Sequence, residues 1–238
     1  MRAVDAPDPW FLKDGLTAAT LADAVLGRRL TAARRIGKLL LLDLGGGPTV
    51  GLRFGMTGRL LVDGVAGVDQ LEYSSQRDEP AWDRVVFRLD GGDMRVRDPR
   101  RLGGVLVDPD ESRLGHDLLS VTPAQLVAAL ARSTAPVKAR LLDQARVAGV
   151  GNLIADEVLW RAGIDPARAA GSLDAAETRR LHRHLRRAVA ELVERGGSHT
   201  GDLFASRAPG GRCPKDGAPL ERRTIGGRTT WSCPRHQR

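Results

Sequence analysis

The chain has 238 residues, enough for one good core or two modest ones, and carries 37 Lys and Arg against 29 Asp and Glu, a net charge of +8. That balance suits a polyanionic partner, nucleic acid before an anionic membrane surface, although an arginine-rich genome would raise the charge as well. No apolar run is long enough to span a bilayer, and the opening MRAVDAPDPW lacks the apolar heart of a signal peptide. Only two cysteines, Cys213 and Cys233, are present, which argues against a disulfide scaffold and fits a reduced cytoplasm.

Residues 1–115 read as mostly β, and the expected fold class is α+β, multidomain, with an N-terminal β-sandwich. Leu21, Val25 and Leu26 suggest a helix over Ala18–Leu26. KLLLLDL, Lys38–Leu44, is a short apolar strand closed by a Gly-Gly-Gly-Pro turn. Thr49–Phe54 and Arg59–Asp63 follow around Gly55-Met56-Thr57-Gly58. Arg84–Leu89 alternates, Asp90-Gly91-Gly92 turns and Asp93–Arg97 returns, a hairpin signal, with a last strand at Val105–Val107.

From Thr122 the period becomes helical, and residues 116–205 form a second expected domain. Thr122 caps a helix whose first turn holds Pro123 and which runs through Ala131. Leu141, Leu142 and Ala145 give one apolar face, and Val158, Leu159 and Ala162 another, on two helices joined by Gly149-Val150-Gly151-Asn152. Two glycines there permit a sharp turn and a close approach, and Asn152 stands where a helix begins with uncovered N–H groups. That arrangement suits a phosphate, although many glycine turns between helices bind nothing. Asp174 and Glu177 then open a long helix to Glu194, with Leu181, Leu185, Val189 and Leu192 inward. Arg179, Arg180, Arg183, Arg186 and Arg187 line its other face, either as a solvated surface or to steer a polyanion.

Residues 206–238 make a third unit, a β-hairpin bent at Gly226-Gly227. Cys213-x-x-Asp216 and Cys233-x-x-His236 have the spacing of a zinc ribbon, two ligands per knuckle. The competing reading is a finger that keeps its shape without metal. A carboxylate makes the site less discriminating than four thiolates would.

LLDQARVAGVGNLIADEVLWRAGIDP resembles the helix–two-turn–helix signature of the formamidopyrimidine-DNA glycosylase and endonuclease VIII family, bacterial base-excision-repair enzymes. The match is close at LLDQ, GVGN, DE and RAGIDP, with Ile154 where the family often has Tyr. The resemblance extends from about Val4 to the C-terminus, in the order β domain, helical domain, finger. It implies that Asn152 grips DNA phosphate beside a lesion and that Lys138 contacts another phosphate. It implies the same for Arg228, in GGRTTWSC, and for Lys38, in ARRIGKLLLLDL. FGMTG resembles the family's LGMSG, which makes Met56 a wedge filling the place of a flipped-out base; from the residues alone core packing would be preferred. RDPRRLGG resembles DPRRFG, which sets Arg100 against the orphaned base and Leu102 where a ring usually stacks. Glu157 matches a carboxylate near the family's active site. The family's finger normally has four cysteines, and Asp216 and His236 stand where two of them would be.

The family's chemistry depends on a Met-Pro-Glu beginning. The freed proline amine attacks C1′ of the damaged nucleotide, the Glu serves as acid and base, and elimination cuts the strand. Here the chain opens Met1-Arg2-Ala3-Val4, and the resemblance starts with sequence some way inside the domain. Two readings stand: a start placed too far downstream, or a shortened protein that binds DNA without cutting it. As written, the chain is expected to be poorly soluble or inactive, with Lys38 as a remaining candidate amine. The expected partner is duplex DNA with a damaged base or abasic site, bound by a monomer in the bacterial cytoplasm at the nucleoid, with structural zinc. A remote alternative is a structural RNA-binding protein. The short stretch Leu203–Arg212 replaces a usually longer lesion-covering loop, which leaves the preferred lesion open.

Overall fold

The computed structural model describes residues 1–238 except 68–70, 73 and 76. In the unit Met1–Glu111 the chain order is β1 (Ala3–Asp5), α1 (Ala18–Val25), β2 (Leu30–Ile36), β3 (Leu39–Leu44), β4 (Thr49–Arg53), β5 (Arg59–Val62) and β6 (Val65–Ala66). Then follow β7 (Asp83–Arg88), β8 (Asp93–Arg97) and β9 (Gly104–Val107). They form a five-stranded sheet, β1-β7-β8-β5-β6, and a four-stranded sheet, β2-β3-β4-β9. Val85, Phe87, Met94 and Val96 from the first meet Leu42, Leu44, Val50, Leu52 and Val105 from the second in one core, with Leu21 and Val25 of α1. This is the expected β-sandwich, and alternation drives it: every second residue of β7 is buried.

Strand β2 is not visible in the pattern of its own residues. LTAARRI is exposed along almost its whole length. It is a strand because β3, whose Leu41 and Leu42 are buried, offers it an antiparallel edge with Ile36 opposite Leu39. Gly37, at φ 57°, makes the bend between them.

The unit Ser112–Arg238 contains β10 (His116–Asp117), α2 (Pro123–Leu130), α3 (Val137–Leu142), β11 (Val147–Ala148), α4 (Asn152–Ala162), α5 (Ala175–Glu194), β12 (Glu221–Ile225) and β13 (Arg228–Ser232). Its two strand pairs are parallel β10–β11 and the antiparallel hairpin β12–β13. Thr122 and Gln125 close a capping box on α2, and Asp174 and Glu177 close one on α5. Leu181, Leu185 and Val189 of α5 pack with Leu126, Leu141, Val158 and Leu159 in one core. Ala145, expected on the apolar face of the first motif helix, lies instead in the turn after α3 and is exposed: the helix is only six residues long.

The C-terminal hairpin shares its own buried cluster with the helices. Trp160 of α4 and Leu203 pack with Cys213, Ala218, Leu220, Trp231 and Cys233. No helix among the described residues is long and apolar enough to cross a membrane.

Candidate nucleic-acid interface and metal centre

In the β unit, the register Leu39 opposite Arg53 opposite Gly104 brings three connections to one end of the four-stranded sheet. They are the β2–β3 turn with Lys38, the segment leaving β4 with Met56, and the segment entering β9 with Arg100 and Leu102. Lys38 and Arg100 are exposed, and so are the apolar Met56 at 52 % and Leu102 at 47 %. Met56 is thus not a core residue. Gly55, at φ 60°, ties the two apolar tips together, because a Cβ there would sit 2.7 Å from Cβ of Leu102.

Asp98 shapes the loop that carries Arg100 and Leu102. It is fully buried and accepts from the Thr57 hydroxyl, from the amide of Arg100 at 3.2 Å and from that of Gly103 at 2.8 Å. Arg101, held at φ 57°, turns back into the unit and forks onto Asp8 at 2.6 and 2.7 Å. Its neighbours on both sides therefore face outward. Sequence reasoning passed over Asp98; the available signal was an Asp-Pro pair, a common start for a side-chain-stabilised turn.

In the second unit α4 begins at Asn152 with no side chain capping it. Its first turn therefore keeps open donors and the positive end of the helix dipole. Gln144 closes the preceding turn: its amide donates to the carbonyls of Leu142 and Val150 at 2.8 and 3.1 Å and accepts from Gly149 at 3.0 Å. Gly149 sits at φ 108°. Asn152 Nδ2 donates to the Thr229 carbonyl at 3.0 Å, so the uncapped end of α4 lies beside the residue that follows Arg228. Arg228 is exposed at the start of β13.

Two further sequence candidates, Lys138 and Glu157, are buried. The Lys138 ammonium does not face solvent: it is 0 % exposed, pairs with Asp156 at 2.7 Å, and burial pulls its pKa down against that ion pair. Glu157 is buried too. It accepts from Arg161 at 2.7 Å and from the amides of Asp202 and Leu203 at 3.1 and 2.9 Å, which fastens the chain after α5 to α4. Of the α5 arginines, Arg180 donates to the Ala162 carbonyl and Arg187 pairs with Glu191, while Arg179, Arg183 and Arg186 are exposed.

The four knuckle residues converge. Ligand atoms of Cys213, Asp216, Cys233 and His236 all lie within 4.8 Å of one another. His236 turns Nδ1 toward Asp216 at 3.2 Å and Cys213 at 3.6 Å, while Nε2 lies 3.1 Å from the Trp160 carbonyl. With a proton on Nε2 given to that carbonyl, Nδ1 would turn its lone pair to a metal ion in the cluster, the outer-sphere support a ligating imidazole needs. Trp160 Nε1 donates to the Cys213 sulfur at 3.3 Å. The amide of Ala218 and neighbouring thiols hold the Asp216 carboxyl down to about 2, so it is ionised at neutral pH. Two soft sulfurs, one imidazole nitrogen and one carboxylate oxygen fit a tetrahedral metal ion.

A β-sandwich, a helical unit with an uncapped turn-helix start, and a hairpin carrying a metal-ligand knot define the helix–two-turn–helix architecture. Residues 1–105 match the formamidopyrimidine-DNA glycosylase N-terminal domain and residues 114–203 the formamidopyrimidine-DNA glycosylase H2TH domain. A formamidopyrimidine-DNA glycosylase of Ruegeria pomeroyi is 34 % identical over 92 % of this chain and 86 % of its own length. The crystal structure of the MutM (Fpg) protein of Thermus thermophilus superposes with a TM-score of 0.78 at 33 % identity, covering 99 % of this chain and 90 % of that one. A Lactococcus lactis Fpg complexed with DNA containing an abasic site shares the fold at a TM-score of 0.78 and 22 % identity, covering 99 % and 91 %. The chain belongs to the formamidopyrimidine-DNA glycosylase family.

Proposed function

We propose that this chain binds damaged duplex DNA, abasic sites included, as a base-excision-repair glycosylase of its family. The observation that carries the reading is the meeting of an uncapped α4 terminus, the Asn152 amide and the exposed Arg228 beside one carbonyl, that of Thr229. Open amides and a guanidinium together suit a phosphate oxygen, and a helix terminus adds its dipole. In the β unit, the apolar Met56 and Leu102 stand exposed with Arg100 and Lys38 at one sheet end. Exposed apolar tips flanked by cations are suited to filling the space left by a flipped base and to contacting its partner.

Zinc is the proposed ion for the knuckle, held by Cys213, Asp216, Cys233 and His236. Its contribution would be structural, a cross-link that fixes the two ends of the hairpin.

The covalent step of the resemblance needs an amine at C1′, and positions 2 and 3 here are Arg and Ala. The Met1 amino group donates to the Arg28 carbonyl. We therefore tie Schiff-base glycosylase and strand-cleaving lyase chemistry to a Pro-Glu start supplied upstream, and damaged-DNA binding to the residues described above. The test is borohydride trapping on a duplex with one abasic site, run beside anisotropy binding to that duplex, an undamaged duplex and an RNA hairpin. The expected outcome is preferential binding to the abasic duplex by both forms and a covalent adduct only with the extended form. An adduct with the given chain would move the nucleophile to an internal amine such as Lys38. Equal affinity for undamaged duplex or RNA would sink the damage reading.

A further inference from the structure

Lys138 and Asp156 are exposed by 0 % and 1 %, and the proposed DNA surface uses neither side chain. Burying a charge pair is expensive, and an apolar pair of similar volume would often serve stability as well or better. What this pair touches accounts for its presence. Lys138 forms an ion pair with Asp156 at 2.7 Å and donates to the Thr229 carbonyl at 3.1 Å and to the Thr230 hydroxyl at 2.7 Å. Thr230 Oγ1 donates in turn to the carbonyl of Arg228 at 3.1 Å. The Thr229 carbonyl that Lys138 grips is the same one that accepts from Asn152. The second oxygen of Asp156 accepts from Arg207 at 2.8 Å and from the Trp231 amide at 3.2 Å. Next to Lys138, Ala139 leaves room only for glycine at the hairpin bend: a Cβ on Gly226 would lie 2.9 Å from its own.

We propose that Lys138, Asp156 and Thr230 are positioning residues that lock the hairpin backbone at Arg228 against the first turn of α4, so that guanidinium and helix terminus engage one phosphate. The inference rests on the DNA-binding reading above and adds to it a specific relay, from Asp156 through Lys138 and Thr230 to the Arg228 carbonyl. Lys138 reaches the DNA only through Arg228 and Asn152. Such a lock matters because a bidentate contact tolerates little displacement of its fork.

The test uses the full chain and an abasic-site duplex, with Kd measured across a salt series and the thermal midpoint recorded for each variant. Arg228→Gln should lower the slope of log affinity against log salt by about 0.9, the share of one phosphate contact. Thr230→Val and Lys138→Met should lower it by nearly the same amount, and Thr230→Ser, which keeps the hydroxyl, should restore it. Adding Thr230→Val to Arg228→Gln should cost little more, because both remove one contact. A slope left intact by Thr230→Val and Lys138→Met, with only the midpoint lowered, would overturn the positioning role, as would additive losses in the double variant. If Lys138→Met does not fold, the Val and Ser pair at position 230 decides alone. A slope unmoved by Arg228→Gln itself would instead refute the phosphate reading of this site, and the positioning role with it.

Discussion

Asp98 shows how one buried carboxylate can shape a binding tip without touching a ligand. Its oxygens collect a hydroxyl and two amides, and the loop with Arg100 and Leu102 is bent around them. Asp98→Ala would leave the Thr57 hydroxyl and the Arg100 and Gly103 amides without their acceptor, and buried donors left unpaired are costly. A loss of about 3 kcal/mol in the unfolding free energy of the β unit is expected, measured by urea titration. At this scale the sequence was informative where chemistry is local. Asn152 after Gly149-x-Gly151, Arg228 after the Gly226-Gly227 bend and the four knuckle residues could all be picked out, and the knuckle residues do converge. It was uninformative where a side chain's partner is distant. Nothing around Lys138 announces that Thr230, 92 positions on, accepts a hydrogen bond from it. A lysine on a short helix reads as solvated until that partner is known.

Elements whose own residues alternate or cap were legible: the β7–β8 hairpin, and α2 and α5 with their capping boxes. Strand β2 was not, because its state is imposed by the neighbouring strand rather than by its own pattern. Helix α5 carries a further consequence in Glu191, which draws together Arg187 and, from α4, Arg161. Hydrogen bonds from Arg187 and then Arg161 hold its carboxyl down to about 2, below an ordinary value of 4.5. A depressed carboxylate contributes stability above its unfolded pKa and loses it as pH falls through the folded one. Glu191→Gln should therefore cost about 0.5–1 kcal/mol at neutral pH, the discount reflecting a partly solvated pair. The gap to wild type should close between pH 4.5 and about 2, read from denaturation midpoints at each pH. A gap that widened on acidification would contradict the ion-pair account. Just past Arg161, at the C-terminal end of α4, Gly163 stops the helix in a left-handed turn at φ 68°. Gly163→Ala should lower the thermal stability of the second unit by about 1–2 kcal/mol.

Across the whole molecule, two units carry separate cores, and the cluster of four candidate ligands belongs to one of them. Cys213 and Cys233 are buried beside Trp160 and Trp231, so an ion bound at the knuckles would act on a cluster continuous with α4. Among the described residues, no member of the β unit belongs to the candidate metal cluster. An ion that binds only the folded state stabilises by RT ln(1 + [L]/Kd), about 2.7 kcal/mol at a free concentration one hundred times Kd. Added zinc should therefore raise the unfolding transition of Ser112–Arg238 and leave that of Met1–Glu111 where it was; a chelator should reverse the shift. Hydrogen exchange read segment by segment checks this, with α4 and the hairpin gaining protection and β3 and β7 unchanged. Cobalt in place of zinc gives an independent reading, since a tetrahedral site with two thiolates absorbs in the visible and Cys233→Ser should abolish that band. Protection gained equally in both units would mean that metal acts through the whole fold, and the knuckle would no longer explain it.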